Sequence, residues 1–238
     1  MPDAAPPLRG AYRRLRAHFG HQRWWPAETP FEVCVGAILT QNTAWTNVER
    51  ALARLKAAGV LAPRALHALP GPELAELLRP AGTFRVKARR LRAFLDVLVG
   101  DCGADLKRLF AGETPAVRAR LLAIPGIGPE TADCLLLYAG GHASFVVDAY
   151  TRRIFSRHGW GAPGAGYDAV QSLCAAGLAE ADPHRRLERW QDAHAQCVAV
   201  AKAFCRARAP RCEGCPLRPL LPPGGPRPDE AVAGRGRR

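Results

Sequence analysis

The stretch Leu121–Arg153, LLAIPGIGPETADCLLLYAGGHASFVVDAYTRR, decides the fold. An apolar helical run ends at Leu122, and the residues P-G-I-G at 125–128 then force a tight turn, because glycine readily adopts positive φ. Pro129 suits the first turn of a second helix. Two helices joined by a glycine turn place free backbone N–H groups where a phosphate can bind without any side chain. Ordinary helix–helix turns have the same spacing, so the glycines alone leave both interpretations open.

The second feature of this stretch is a carboxylate that follows an apolar β-branched run. Asp148 ends the run FVVD and stands at the predicted N-cap of a helix that carries Arg152 and Arg153. A positioned carboxylate can stabilise a developing cation or activate a water molecule. Asp148 is therefore the candidate catalytic residue.

These two motifs together resemble a known family. I-P-G-I-G-x-x-T-A-D followed downstream by V-V-D-A-Y-T-R-R is similar to the helix-hairpin-helix-GPD superfamily of DNA glycosylases, and specifically to its endonuclease III branch. The resemblance implies that the hairpin binds the DNA backbone through the amides of Gly126, Ile127 and Gly128. It also implies that Asp148 is catalytic and that Arg152 lies at the DNA.

The resemblance also implies the architecture, an all-α fold with two lobes and DNA between them. A six-helix barrel is expected over residues 31–142, with the helix-hairpin-helix at about 121–140. Residues 1–30 and 143–220 are expected to form a second helical lobe. The tail 222–238 is rich in Pro, Gly and Arg and is expected to be disordered.

Composition agrees with a DNA-binding protein. The chain carries a net charge of +13 and 48% hydrophobic residues, with a pI near 10.1. Such a surface favours a polyanionic partner, and the apolar content suffices for a buried core. No run approaches the roughly 18 apolar residues of a membrane helix, and the polar start MPDAAPPLRG lacks a signal-peptide core. We expect a monomeric cytoplasmic or nucleoid-associated protein that binds double-stranded DNA containing damaged bases.

Two further segments are candidates for DNA contact. Thr40-Gln41-Asn42-Thr43 interrupts an apolar run, which is typical either of a surface helix junction or of a functional loop. The resemblance implies that Gln41 fills the gap left by an extruded base. It also implies that the loop at Gly82-Thr83-Phe84 inserts a residue into the duplex. The usual large apolar residue is absent at Thr83, which leaves Phe84 or Arg85 for that role. The next predicted helix carries Lys87, Arg89, Arg90 and Arg92, and a charge run of this kind is typically a solvated face.

Three cysteines near the C-terminus have the spacing of an iron–sulfur loop. Cys205-x6-Cys212-x2-Cys215 resembles the start of the [4Fe–4S] loop of endonuclease III, but Leu221 stands where the fourth cysteine is expected. Cys197, His194 or an exogenous ligand would complete the four-ligand set. A metal-free loop and a zinc site are the alternatives.

Glu130 distinguishes this chain from bifunctional relatives. The resemblance implies a lysine at this place in enzymes that form a Schiff base and cleave the strand, and a carboxylate cannot form that bond. A monofunctional enzyme without a strong nucleophile suits bases whose glycosidic bond is already weak, above all cationic N-alkylated purines.

Three tryptophans near the cleft segment suit such a base. Trp24, Trp25 and Trp45 would add cation–π attraction of about 0.5–2 kcal/mol to a flipped cationic base, although tryptophan is also a common core residue. W-W-P, Q-N-T-x-W and Glu130 together resemble the 3-methyladenine DNA glycosylase III type. The predicted function is hydrolysis of alkylpurine glycosidic bonds in duplex DNA. The alternatives are an oxidised-pyrimidine glycosylase with lyase activity through Lys87 or Lys202, and a non-catalytic reader of damaged DNA.

Overall fold

The computed structural model of the chain describes residues 6–228, which form helices joined by turns and loops and contain no strand. The α-helices in chain order are α1 Leu8–Phe19, α2 Pro30–Leu39, α3 Trp45–Ala57, α4 Pro63–Ala68, α5 Gly71–Leu77, α6 Phe84–Asp96, α7 Leu106–Leu109, α8 Thr114–Leu122, α9 Pro129–Leu135, α10 Ala149–His158, α11 Tyr167–Gly177 and α12 Pro183–Ala203. Short π-helical turns at Val97–Asp101 and Leu136–Gly140 continue α6 and α9. The all-α prediction is confirmed.

The chain divides into two compact units, one of Trp25–Ser144 and one made of the residues up to Trp24 together with those from Phe145 onward. In the first unit α2 is the central helix, buried from Phe31 to Leu39 and packed on α3, α6 and α9. Thr29 caps it, because its Oγ1 accepts a hydrogen bond of 3.1 Å from the Glu32 amide. This cap and Pro30 at the first helical position account for where α2 begins.

The cationic face predicted for α6 is wrong at Lys87. This side chain is only 1% exposed, and its ammonium donates to the carbonyl of Ala81 at the end of the preceding 3₁₀ turn. Burial, together with the charge of Arg90, lowers the pKa of Lys87 to about 8. In the sequence Lys87 is one cation among arginines, and only the fold shows that its ammonium is hydrogen-bonded to a backbone carbonyl.

The second unit consists of α1, α10, α11 and α12, with α12 packed on both α1 and α10. The first of these helices, α1, begins at Leu8 and buries that side chain. Tyr12 fixes α1 to α12 through a 2.8 Å hydrogen bond from its hydroxyl to Asp192.

Residues 229–238 of the predicted disordered tail lie outside the described residues. In the described part of this tail, the Arg227 amide donates to the Arg157 carbonyl at 2.9 Å. The Ser156 hydroxyl donates to the Pro228 carbonyl at 3.0 Å. Hydrogen bonds thus join this part of the predicted tail to α10. Within residues 6–228, no helix has both the length and the hydropathy that crossing a membrane requires.

Candidate active site and DNA-binding hairpin

The predicted hairpin joins α8 to α9. Ile124 and Ile127 point into the core, and the Ile127 amide donates to the Ile124 carbonyl at 3.0 Å. The turn itself therefore occupies one of the three amides that we predicted to bind phosphate. Among the described residues, no acceptor faces the amides of Gly126 and Gly128, and both glycines are exposed. These two amides are the ones open to a phosphate.

Gly126 is required by both its backbone and its surroundings. Its φ is +89°, and a Cβ at this position would lie 2.4 Å from Cγ of Arg90. Gly128 has a φ of −93°, and a Cβ there would meet nothing within 4 Å. The two glycines of the turn therefore differ sharply in their tolerance of a side chain.

Gly126→Ala is expected to lower the free energy of unfolding by about 1–3 kcal/mol, because alanine at this φ is strained and Arg90 must move. Duplex binding should weaken as well, since the hairpin amides would shift. Gly128→Ala is the matched control and should have a smaller effect on stability. Urea unfolding and fluorescence anisotropy with duplex DNA measure both properties, and equal losses of stability in the two variants would contradict the prediction.

Gln41 contacts the hairpin directly. Its Nε2 donates to the Gly126 carbonyl at 3.1 Å and to Thr131 Oγ1 at 3.0 Å. Its Oε1 accepts from the guanidinium of Arg90. The side-chain amide predicted to fill the duplex is thus hydrogen-bonded to the hairpin. Arg90 and Thr131 are site residues that sequence reasoning missed, since helical spacing carries no signal for these partners.

Two of the three predicted tryptophans lie together. The rings of Trp25 and Trp45 are T-shaped with centroids 5.2 Å apart, and Tyr138 lies 5.4 Å from Trp25. Trp25 also packs on the backbone at Gly36, where a Cβ would lie 3.4 Å from the indole. We call Trp25, Trp45 and Tyr138 the aromatic cluster. All three side chains are half-buried. The sequence pattern had placed Tyr138 on a helix but gave no sign that it lies beside Trp25.

Trp24 belongs to the other unit. The ammonium of Lys202 lies 6.0 Å from the centroid of its ring, within the range of a cation–π contact. Trp24 thus contacts one of the two lysines considered for lyase chemistry, while the other, Lys87, is buried.

The loop before α6 presents an exposed Thr83, and Gly82 there has a φ of +86°. The ring of Phe84 is half-buried, and the guanidinium groups of Arg79 and Arg85 lie 4.8 and 5.6 Å from its centroid. The predicted wedge Phe84 is therefore already in cation–π contact. Arg85 is exposed.

Asp148 occupies the N-cap of α10, as predicted. Its Oδ1 accepts a 2.7 Å hydrogen bond from the Thr151 amide, and its Oδ2 lies 3.5 Å from Nε2 of His194 on α12. Burial alone would raise the pKa of Asp148, but the interactions with His194 and Thr151 outweigh burial, and the pKa lies below its ordinary value. The carboxyl group is therefore ionised at neutral pH. The sequence indicated His194 only as one option for a fourth cluster ligand.

The other charged candidates differ in exposure. Arg152 is exposed and donates to the Ala165 carbonyl at 3.2 Å. Its neighbour Arg153 is buried and donates to the Cys205 carbonyl at 2.7 Å. Glu130 is exposed in the first turn of α9. Of the two arginines, only Arg152 is therefore positioned for a solvent-side partner.

The cysteine loop supplies three thiols to one site. Cys205, Cys212 and Cys215 line one small cavity, and Leu221 forms part of the same wall. Cys197 instead lines a different, apolar cavity, and burial raises its pKa to about 12. No group of three His, Cys, Asp or Glu side chains within residues 6–228 is arranged to hold a metal ion. Because leucine cannot ligate iron, the donor set does not fit four-cysteine ligation.

Arginine side chains stabilise this loop from α10. The guanidinium of Arg157 donates to the carbonyls of Arg206 and Ala207 at 2.7 and 3.0 Å and to the sulfur of Cys205 at 3.3 Å. Together with the bond from Arg153, these contacts fix the start of the loop. The loop is thus connected to α10, the helix that Asp148 caps.

Comparison with known proteins supports the family that the sequence motifs resemble. Residues 35–180 match the HhH-GPD superfamily of base excision DNA repair proteins. A provisionally named DNA repair glycosylase of Methanocaldococcus jannaschii is 43% identical over 208 residues, which cover 87% of this chain and 92% of the relative. Endonuclease III of Thermotoga maritima is 27% identical over 192 residues, covering 79% and 81% of the two chains.

Solved structures share the fold. The 3-methyladenine DNA glycosylase of H. pylori bound to 1,N6-ethenoadenine has a TM-score of 0.72 and 26% identity, covering 83% of this chain and 98% of its own. A trapped endonuclease III–DNA covalent intermediate has a TM-score of 0.75 at 22% identity, covering 97% of each chain. The sequence-based resemblance is confirmed, and the chain belongs to the HhH-GPD superfamily of base excision repair DNA glycosylases, with endonuclease III-like relatives.

Proposed function

We propose that this protein is a monofunctional DNA glycosylase that hydrolyses the N-glycosidic bond of alkylated purines, such as 3-methyladenine, in double-stranded DNA. The aromatic cluster carries the substrate assignment, because two half-buried indoles and a phenol offer π faces to a cationic base. The similarity to the H. pylori 3-methyladenine glycosylase adds support.

Asp148 carries the proposed chemistry. Its ionised carboxylate would stabilise the positive charge that develops on the sugar as the bond between C1′ and the base nitrogen breaks. The bonding electrons leave with the base, so an alkylated cationic purine departs as a neutral molecule. A water molecule then bonds to C1′ and gives its proton to Asp148 or to solvent. The products are a free base and an abasic site.

The proposal assigns DNA-backbone contact to the hairpin. The open amides of Gly126 and Gly128 would bind one phosphate, and exposed cations such as Arg85 and Arg152 would add salt-sensitive attraction. Gln41 would act by supporting the hairpin, with insertion into the duplex requiring its three hydrogen bonds to break.

Glu130 supports the absence of lyase activity. Glutamate cannot form a Schiff base with C1′. The alternative amines are poorly placed in this structure, since Lys87 is buried against a carbonyl and Lys202 lies at the Trp24 ring.

We expect free 3-methyladenine to appear when the protein is incubated with methylated duplex DNA, without strand breaks until alkali is added. Chromatography of the released bases and denaturing gels of an end-labelled duplex measure the two results. Borohydride should trap no covalent adduct, because no amine attacks C1′. Release of thymine glycol with a trapped adduct would instead favour the oxidised-pyrimidine alternative, and binding without any base release would favour the non-catalytic reader.

A further inference from the structure

His194 is the group that faces the second oxygen of Asp148. The two side chains come from different helices, and their Nε2 and Oδ2 atoms are 3.5 Å apart, an ion-pair distance that is too long for a strong hydrogen bond. Both are nearly buried, with 6% and 12% of the side chains of His194 and Asp148 exposed. A buried carboxylate is costly unless a hydrogen-bond donor or an opposite charge faces it.

Building on the proposed function, we infer that His194 is a positioning residue for Asp148 that, as an imidazolium, pairs with Oδ2 and holds the carboxylate ionised and oriented for base release. Oδ1 is already fixed by the Thr151 amide. A second partner on Oδ2 therefore fixes the plane of the carboxyl group as well as its charge.

The surroundings of His194 support an orienting role. On one side its ring packs edge-on against Phe145, with centroids 6.5 Å apart. One turn further along α12, Cys197 lies close enough to influence Asp148, and its raised pKa of about 12 keeps that thiol neutral. Apolar and neutral neighbours strengthen the attraction between imidazolium and carboxylate by lowering the local dielectric constant.

Other charged groups on the helices packed here have partners of their own. Asp192 on α12 accepts from the Tyr12 hydroxyl and the Gln22 amide, and His21 approaches it at 3.8 Å. Arg153 on α10 donates to the Cys205 carbonyl.

In the proposed reaction His194 takes no part in proton transfer. The water proton passes to Asp148 or to solvent, so the imidazolium neither gives nor takes a proton and remains a counter-charge. Its removal should therefore change the protonation of Asp148. Without the nearby positive charge, burial raises the pKa of the carboxyl group, and the acidic limb of the rate profile moves to higher pH.

Two variants distinguish the effect of the His194 charge from the effect of its hydrogen-bond donor. His194→Leu removes both the donor and the charge, whereas His194→Gln keeps an amide donor near the place of Nε2 but is neutral. We expect His194→Leu to lose several-fold more kcat at pH 5.5 than at pH 8, measured as enzyme-dependent base release above the DNA-only background. His194→Gln should recover most of the rate at pH 8 and keep the displaced acidic limb. Thermal melting and duplex binding check that both variants are folded.

Titration of the Asp148 carboxyl by 13C NMR, assigned with Asp148→Asn, gives a second readout that needs no substrate. A higher pKa of the Asp148 carboxyl in both variants, together with an acidic limb of the pH–rate profile that moves to higher pH, supports the inference. An unchanged carboxyl titration, or equal rate losses at every pH, overturns it and leaves His194 a packing residue. If the wild-type protein releases no base from methylated DNA, the proposed function fails, and the carboxyl titration alone decides the pairing of His194 with Asp148.

Discussion

Asp148→Asn is expected to lower the rate of base release by about 10²–10⁴-fold, the range typical of a general acid–base group. Asparagine retains the shape of the side chain, and its oxygen can still accept from the Thr151 amide, so the N-cap of α10 should persist. Only the negative charge is lost. The loss should therefore appear in kcat, with little change in affinity for a duplex that carries a non-cleavable abasic analogue.

Asp182→Asn is the matched control for this variant. Asp182 caps α12 through a 2.8 Å hydrogen bond from the Arg185 amide, so the same chemical change is made at another helix N-terminus. Base release should be unaffected there. A fully active Asp148→Asn protein would show that Asp148 is a structural cap and would remove the proposed chemistry.

The motifs that the sequence predicted correctly are local. A proline and two glycines determine the hairpin, and an aspartate after a β-branched run determines the N-cap of α10, because turns and caps depend on residues within a few positions. The helix ends Leu122, Pro129 and His158 follow from the same signals. Local chemistry is thus enough to place both Asp148 and the glycine turn.

Partners across the fold were not predictable in this way. Helical periodicity shows which face of a helix is buried but not which residue meets it. Nothing in the spacing indicates that His194 faces Asp148, that Arg90 supports Gln41, or that Tyr138 lies at Trp25. The partner of Lys87 was equally unpredictable, because its ammonium donates to a backbone carbonyl in the preceding turn.

The cysteine loop has the spacing of an iron–sulfur site but lacks the fourth cysteine ligand. The spacing predicted the loop, and the structure places Cys205, Cys212 and Cys215 around one cavity. The sequence left Cys197 open as a fourth ligand, because two helical turns bring residues to one face. The structure places that thiol in another cavity, which could be learned only from the packing of α12.

Arg118→Leu is expected to lower the free energy of unfolding by about 3–5 kcal/mol, because it leaves a buried carboxylate without its counter-charge. Arg118 on α8 donates to both oxygens of Asp133 on α9, at 2.8 and 3.0 Å. Asp133 is fully buried, and Ser144 Oγ also donates to it at 2.6 Å. This bidentate pair connects the two helices of the hairpin, so its loss should weaken duplex binding too.

Urea unfolding measures the effect, with Arg54→Leu as the control. Arg54 forms an exposed pair with Glu76 at 3.7 Å, and such pairs contribute only about 0.2–1 kcal/mol. The double variant Arg118→Leu with Asp133→Leu should recover part of the stability, since it removes the stranded charge along with its partner. If the single and double variants are equally destabilised, packing of the arginine stem would explain the loss. A single variant as stable as Arg54→Leu would mean that the hairpin helices are joined by apolar packing alone.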